Sequence, residues 1–283
     1  MSYPYLKGHG TENDFVLLPD HDGAVHGDLS AERVRALCDR RAGIGGDGVL
    51  RVIRRSAASP VVEEGALRPF RHHGTTGTDL PEWFMDYRNS DGSLAEMCGN
   101  GIRVFAKHLY DEGLVPADQP VTVATRDGVK TVTRTGTTYT ADIGVATLHG
   151  ETKVSVGDRS WAALHVDVGN PHAVVMVDDL ADAGNLYDEP SYDEALYPDG
   201  VNVEFVVRRG PDHIAMRVHE RGSGETRSCG TGACAAAVAA AGGVSGRWLV
   251  DVPGGTLEVT RHDDGRVLLT GPAVIVARGE TDL

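Results

Sequence analysis

Downstream of residue 120 the chain runs in short segments that alternate apolar and polar positions, rich in Val, Ile and Thr and split by Gly, Pro or Asp. Alternation with a period of two turns one face of each segment toward a core. Strands are therefore predicted over 121–125, 129–135, 138–143, 165–168 and 173–177, and again over 203–207, 213–219, 248–252, 256–260, 267–270 and 273–277. Strands at such close spacing mark a curved sheet or a barrel.

Helical signals are few. Ser30 is a fitting N-cap for a helix over 31–41, with Gly43 beyond it. A second helix over 99–112 stops at Gly113; Ile102, Phe105, Ala106 and Leu109 form its apolar stripe, with Arg103 and Lys107 off it. The third, over 230–241, has Ala at 233, 235, 236, 237, 239, 240 and 241 and ends in Gly242-Gly243. Small apolar residues on every side predict burial in a space too narrow for larger ones, such as the inside of a sheet wrapped round the helix. The segment 56–81 mixes Pro, Gly, His-His and Thr-Thr-Gly without a period and reads as a long surface loop.

Two of the four cysteines change this picture, because they share one frame. Cys98-Gly99-Asn100-Gly101 and Cys229-Gly230-Thr231-Gly232 each open a predicted helix. With 36 Gly in 283 residues, Gly at both +1 and +3 should follow roughly one Cys in sixty by chance. A thiol at a helix N-terminus feels the positive end of the macrodipole, which favours thiolate, and the N–H groups beside it can hold a carboxylate. The duplication argues for two halves and for one anion gripped from two sides, with a thiol on each flank. Cys38, in phase with Val34 and Leu37, and Cys234, inside the Ala-rich helix, read as core thiols.

Composition narrows the partners. A formal charge of -14 leaves nothing to neutralise phosphates, which argues against nucleic acid and anionic membranes. The N-terminal residues carry no apolar leader and no run approaches a membrane span, so a cytoplasmic protein is expected. Four Cys in a chain of this length make no disulfide scaffold, and neither Cys-x-x-Cys nor His-x-x-x-His spacing occurs, so no metal site is expected.

Inverting an α-carbon needs a base on one face and an acid on the other, with the neighbouring carboxylate held so that charge can build on it. Two helix-start cysteines meet that need: one removes the α-proton as thiolate while the other delivers a proton as thiol, and the helix N-termini stabilise the enediolate-like charge. The alternative is that each frame is only a tight strand-to-helix turn with a buried thiol.

The residues at this point resemble a known family. Residues 97–103 around Cys98, and 220–226 running into Cys229-Gly230-Thr231-Gly232, closely resemble diaminopimelate epimerases. The resemblance extends over nearly the whole chain through Asn13-Asp14-Phe15, the glycine-rich 43–48, Asn89-Ser90-Asp91-Gly92, Gly169-Asn170-Pro171-His172 and Val201-Asn202-Val203. It implies an α+β fold of two pseudo-symmetric halves, each a barrel-like, mostly antiparallel sheet around a central helix. The halves would be residues 1–141 with Cys98 and 142–270 with Cys229, the C-terminal strand 271–283 returning to the first. It implies a cofactor-independent isomerase that interconverts LL- and meso-diaminopimelate for lysine and peptidoglycan precursors, and a homodimer.

By position, Cys98 and Cys229 match the acid/base thiols, and the N–H groups of Gly99, Asn100, Gly230 and Thr231 match the grip on the reacting carboxylate. Asn13, Asn89, Asn170, Asn202, Glu220 and Arg221 fall on positions that bind the substrate's amines and distal carboxylate. Amide dipoles and one Arg/Glu pair suit a zwitterion with two ammonium and two carboxylate groups. Adjacent strand residues face opposite ways, so Glu220 and Arg221 serve one site only if the strand ends or bulges there, which Gly222 permits. His172 either lines the site or is a satisfied structural histidine.

Three departures stand out: Glu12 where a Gly usually precedes the Asn, Gly48 where some relatives carry Gln, and His219 where Tyr is frequent. A racemase of the same fold acting on proline, hydroxyproline or histidine is the nearest rival, but such chains tend to carry His at the position of Asn100 and lack the Glu220-Arg221 pair. A thiol redox or non-catalytic binding protein would need only one cysteine frame.

Overall fold

The computed structural model describes residues 2–58 and 80–283 of the chain. The loop expected over 56–81 begins as a 3-10 turn, Arg55–Ala57, and from 59 to 79 lies outside the described residues. The chain divides into two compact units, Met1–Gly10 with Asp14–Ala141 and Pro272–Leu283, and Thr11–Asn13 with Asp142–Gly271. Among the described residues there are three α-helices: α1 (Ala31–Cys38), α2 (Gly99–Asp111) and α3 (Gly230–Ala240). No helix among them is long and apolar enough to cross a membrane.

Both units are built by the same order of pairings. In the first, the strand Asn13–Pro19, which belongs to this unit from Asp14 onward, runs parallel to Gly48–Arg54, which pairs antiparallel with Trp83–Asn89; the chain then passes through α2 and returns parallel to that strand as Val121–Thr125. In the second, Pro171–Met176 runs parallel to Asn202–Gly210, which pairs antiparallel with His213–Glu220; the chain passes through α3 and returns parallel as Gly246–Val252. A parallel return needs a long crossover, and in each unit the helix supplies it. Antiparallel hairpins complete both sheets. The C-terminal strand Val274–Thr281 pairs antiparallel with Tyr3–Gly10 inside the first unit.

Each unit wraps its sheet round its helix. Every residue of α3 is buried, packed against six strands of the second unit, as the all-small composition requires. The wider α2 is also buried nearly all round. Arg103, expected off the apolar stripe, is fully buried: its guanidinium donates to Gly99 O (3.1 Å) and Asn100 Oδ1 (2.7 Å) of its own helix and to Pro272 O (3.5 Å), so oxygens meet its charge. α1 ends at Cys38 rather than at 41, because Asp39 turns to an extended conformation and its carboxylate accepts the N–H groups of Arg41 and Ala42. Ser30 caps the helix as expected. Cys38 sits in the cluster of Tyr3, Val16, Leu18, Leu29, Val34, Leu37 and Val49, where burial pushes its thiol up to about 12.

The departure at Glu12 has a backbone reason. Thr11 and Glu12 both lie at positive φ, 49° and 63°, the left-handed region that a Gly at this position would enter without strain. Gly254 packs so closely on this turn that a Cβ there would meet Thr11 O at 1.8 Å. Glu12 also accepts an ion pair from Arg227. Glu12→Gly should be nearly neutral in urea unfolding, since relief of about 1 kcal/mol of strain offsets the loss of an exposed pair. Glu12→Val should cost about 1–2 kcal/mol, because β-branching makes positive φ worse.

Two histidines set an acid limit. His26 and His108 are buried with no hydrogen-bond partner for either ring nitrogen among the described residues, and burial pushes each down to about 4. In the unfolded chain they take up protons near 6.5. Between about pH 6.5 and 4 the unfolded chain thus holds more protons, and stability falls as pH falls. His108→Leu should flatten this fall in urea melts by up to about 3 kcal/mol; an unchanged slope would show that the ring already takes its proton in the folded state.

Candidate active site

Both cysteine frames fold into helix starts whose cap is sulfur. Cys98 is the N-cap of α2 (φ -137°, ψ 122°), and Gly101 N–H donates to its Sγ at 3.4 Å. Cys229 is the N-cap of α3 (φ -116°, ψ 119°), and Gly232 N–H donates to its Sγ at 3.3 Å. The thiol stands where a Ser or Thr oxygen usually does. The N–H groups of Gly99 and Asn100, and of Gly230 and Thr231, fall in the first turns, where the helix's own ladder makes no use of them. Gly232 is required sterically: a Cβ there would lie 2.7 Å from Glu204 Oε1 and 3.2 Å from Cys229 Sγ.

The two thiols differ in surroundings. Cys98 is partly exposed and Cys229 is buried. Burial above all, then the carboxylates of Glu220 and Glu204, push the Cys229 thiol well above its ordinary value; the Thr231 hydroxyl, 3.6 Å from the sulfur, and Gly232 N–H pull the other way and lose. The helix start alone therefore does not make Cys229 a thiolate, as the sequence argument had it. Desolvation with two carboxylates outweighs the dipole.

Cys98, Gly99, Asn100 and Asn89 lie in the first unit. Asn100 is buried with its Oδ1 bound by Arg103, so its side chain serves the helix. Asn89 ends its strand and closes the following turn, donating from Nδ2 to Ser93 Oγ at 3.0 Å. Gly48, on the neighbouring strand, has no room for a side chain, since a Cβ would meet Arg88 O at 2.5 Å.

Cys229, Gly230, Thr231, Asn170, Asn202, Glu220, Arg221 and Asn13 lie in the second unit. The strand His213–Glu220 ends at Glu220, which accepts from the Thr226 hydroxyl, and Arg221 begins the turn that Gly222 completes at φ 77°. That ending removes the opposite-face problem. Arg221 N–H donates to Asn202 Oδ1 (2.9 Å) and its guanidinium to Asp199 O (2.8 Å). His219 is buried with Nδ1 2.8 Å from Leu186 O. Asn13 is buried beside Thr11, whose hydroxyl lies 2.7 Å from that of Ser228, the residue before Cys229.

Sequence reasoning missed Glu204. It lies fully buried in Asn202–Gly210, with Oε1 2.7 Å from Nδ1 of the equally buried His172, whose Nε2 lies 3.0 Å from Asn170 Oδ1. The signal available was a single acidic residue inside the apolar run 203–207.

Comparison with known proteins agrees across the chain. The profile of the family described as Diaminopimelate epimerase matches residues 5–149 and 164–276. The chain is 57% identical to a diaminopimelate epimerase of Streptomyces coelicolor, over 98% of this chain and 95% of that protein. It is 47% identical to the one of Mycolicibacterium smegmatis, over 98% and 96%. Solved structures sharing the fold include a Bacillus anthracis phenazine biosynthesis protein of the PhzF family (TM-score 0.68, 14% identity, 100% of both chains). A hydroxyproline epimerase from Agrobacterium vitis also shares it (TM-score 0.63, 15% identity, 99% of this chain and 92% of that one). By profile and by identity over its full length, this chain belongs to the diaminopimelate epimerase family.

Proposed function

We propose that the chain interconverts LL- and meso-2,6-diaminopimelate by two-base α-proton transfer, with Cys98 and Cys229 as the acid/base thiols. The observation that carries this reading is repetition: two units of like topology each present one sulfur-capped helix start. In the reaction one thiolate takes the α-proton, and the other thiol delivers a proton to the opposite face of the planar intermediate. The first-turn N–H groups at Gly99, Asn100, Gly230 and Thr231 bind the reacting carboxylate, where negative charge builds. Arg221 binds the distal carboxylate, and Glu220 with Asn13, Asn89, Asn170 and Asn202 receives the ammonium groups.

This reading places the protein in the cytoplasm, on a small-molecule substrate of lysine and peptidoglycan precursor synthesis, as a homodimer. Its direct test is incubation with LL-diaminopimelate in deuterium oxide. Deuterium should enter at the α-carbon while the LL to meso ratio moves to equilibrium. Comparable turnover of proline or hydroxyproline would favour the rival racemase.

Cys98→Ser and Cys229→Ser should each abolish epimerisation with stability nearly intact, because a hydroxyl still caps the helix but is far too weak an acid to supply the base. The Ala variants should be equally inactive and about 1 kcal/mol less stable. Cys38→Ala and Cys234→Ala should cost stability and leave turnover near normal. Near-normal turnover in either frame variant would show that two-thiol chemistry is wrong.

Arg221→Ala should raise KM for diaminopimelate by about a hundredfold or more, since the distal carboxylate loses a charge-assisted partner. Arg221→Lys should recover only part of it, because an ammonium lacks the planar fork. Steady-state kinetics on both variants decides; equal KM values in variant and wild type would remove Arg221 from the site.

A further inference from the structure

The second unit contains a buried charge for which the two-thiol scheme gives no role. Glu204 is fully buried on Asn202–Gly210, with one carboxylate oxygen 2.7 Å from His172 Nδ1 and the other without a hydrogen-bond partner among the described residues. A buried carboxylate with a bare oxygen costs several kcal/mol in any fold that has no use for it. Replacing it by Gln or Leu would be an easy route to stability. Its location supplies a use, because it lies under the first turn of α3. The point that a Cβ on Gly232 would occupy is 2.7 Å from Glu204 Oε1 and 3.2 Å from Cys229 Sγ. Carboxylate and sulfur thus both border the point where a Gly232 side chain would begin.

We propose that Glu204 is a positioning residue for Cys229: with His172 bracing it, its carboxylate is held against the sulfur-capped turn and sets how readily that sulfur gives up its proton. A negative charge fixed in a dry site opposes a second one beside it. Cys229 is therefore held as thiol between turnovers, ready to donate, and once it has given its proton to the planar intermediate the thiolate left behind is a stronger base for the reverse reaction than an ordinary cysteine. A stronger base is what a weakly acidic α-proton requires. Glu220, at the strand end, acts in the same direction and more strongly, and burial more strongly still. No bond to substrate is implied for Glu204.

The proposal rests on Cys229 being one of the acid/base thiols, but its test needs no substrate. The ultraviolet absorbance of thiolate is followed against pH in wild type and in Glu204→Gln, each minus its own Cys229→Ala counterpart, with circular dichroism as a folding control. Gln keeps an oxygen acceptor for His172 Nδ1 and loses the charge. The Cys229 thiolate fraction at a fixed alkaline pH should rise about tenfold in Glu204→Gln. In Glu204→Asp, which keeps the charge one methylene back, it should stay within about twofold of wild type. In kinetics with diaminopimelate, Glu204→Gln should lower kcat more than it changes KM. An unchanged thiolate titration in a folded Glu204→Gln protein overturns the proposal. So does a wild-type Cys229 that ionises as an ordinary free thiol, a result that stands even if Glu204→Gln fails to fold. If the titration shifts but wild type does not turn over diaminopimelate, the functional reading fails and the role of Glu204 stands.

Discussion

A helix buried in a sheet cannot leave its first N–H groups to water, and the way this fold meets that constraint determines most of what surrounds it. Each central helix starts on a cysteine whose sulfur accepts the third N–H of the turn. Sulfur is a weaker and larger acceptor than a serine oxygen, so a thiol cap gives up some stability. What it gains is a side chain that can carry either a proton or a negative charge, at the end of a helix that attracts anions. The residues around each cap follow from that choice. At Gly232 the turn closes over the sulfur and a carboxylate and leaves no room for a Cβ, whereas at Gly101 a Cβ would press at 3.3 Å on Leu50 and on the Cys98 Cβ.

The same constraint explains the unequal composition of the two helices. α3 is close to all alanine and glycine, so the strands around it approach its backbone directly, whereas α2 carries Ile102, Val104, Phe105 and Leu109 and fills its sheet with side chains. Arg103 is the exception that the wider sheet admits. Its guanidinium turns back to Gly99 O and Asn100 Oδ1, bracing the turn that begins at Cys98 from within. In the first unit the cap is supported by a cation on the helix itself. In the second it is crowded by anions, Glu204 and Glu220, from two strands.

The sequence made the fold legible where one face of a strand meets solvent. Thr138–Val145 and Arg266–Pro272 alternate cleanly, and Val121–Thr125, though buried at all but one position, lies where the pattern put it. Three strands before residue 120, Asn13–Pro19, Gly48–Arg54 and Trp83–Asn89, are buried on both faces in the described structure and show no alternation, so periodicity did not find them. Thr147–Val156 escaped for the opposite reason: it is exposed along most of its length, with only Val154 buried, and has no core side to mark. The cysteine frames were visible because four residues of chemistry are contiguous in the chain. Glu204 was not, because its importance lies in what it faces across the sheet, and a single acid in an apolar run looks like an ordinary interruption.

The environment of Cys229 also corrects a habit of sequence reading, in which a helix-start cysteine is taken as a thiolate. The dipole contributes at most about 1–2 kcal/mol at a helix end, while desolvation of a buried anion beside two carboxylates opposes it with more. The sign of the sum is set by tertiary neighbours. Cys98, partly exposed, and Cys229, buried, share one motif and one cap geometry, yet are given unequal surroundings. An identical motif thus does not fix the protonation of its thiol: at Cys229, burial and two carboxylates of its own unit decide it.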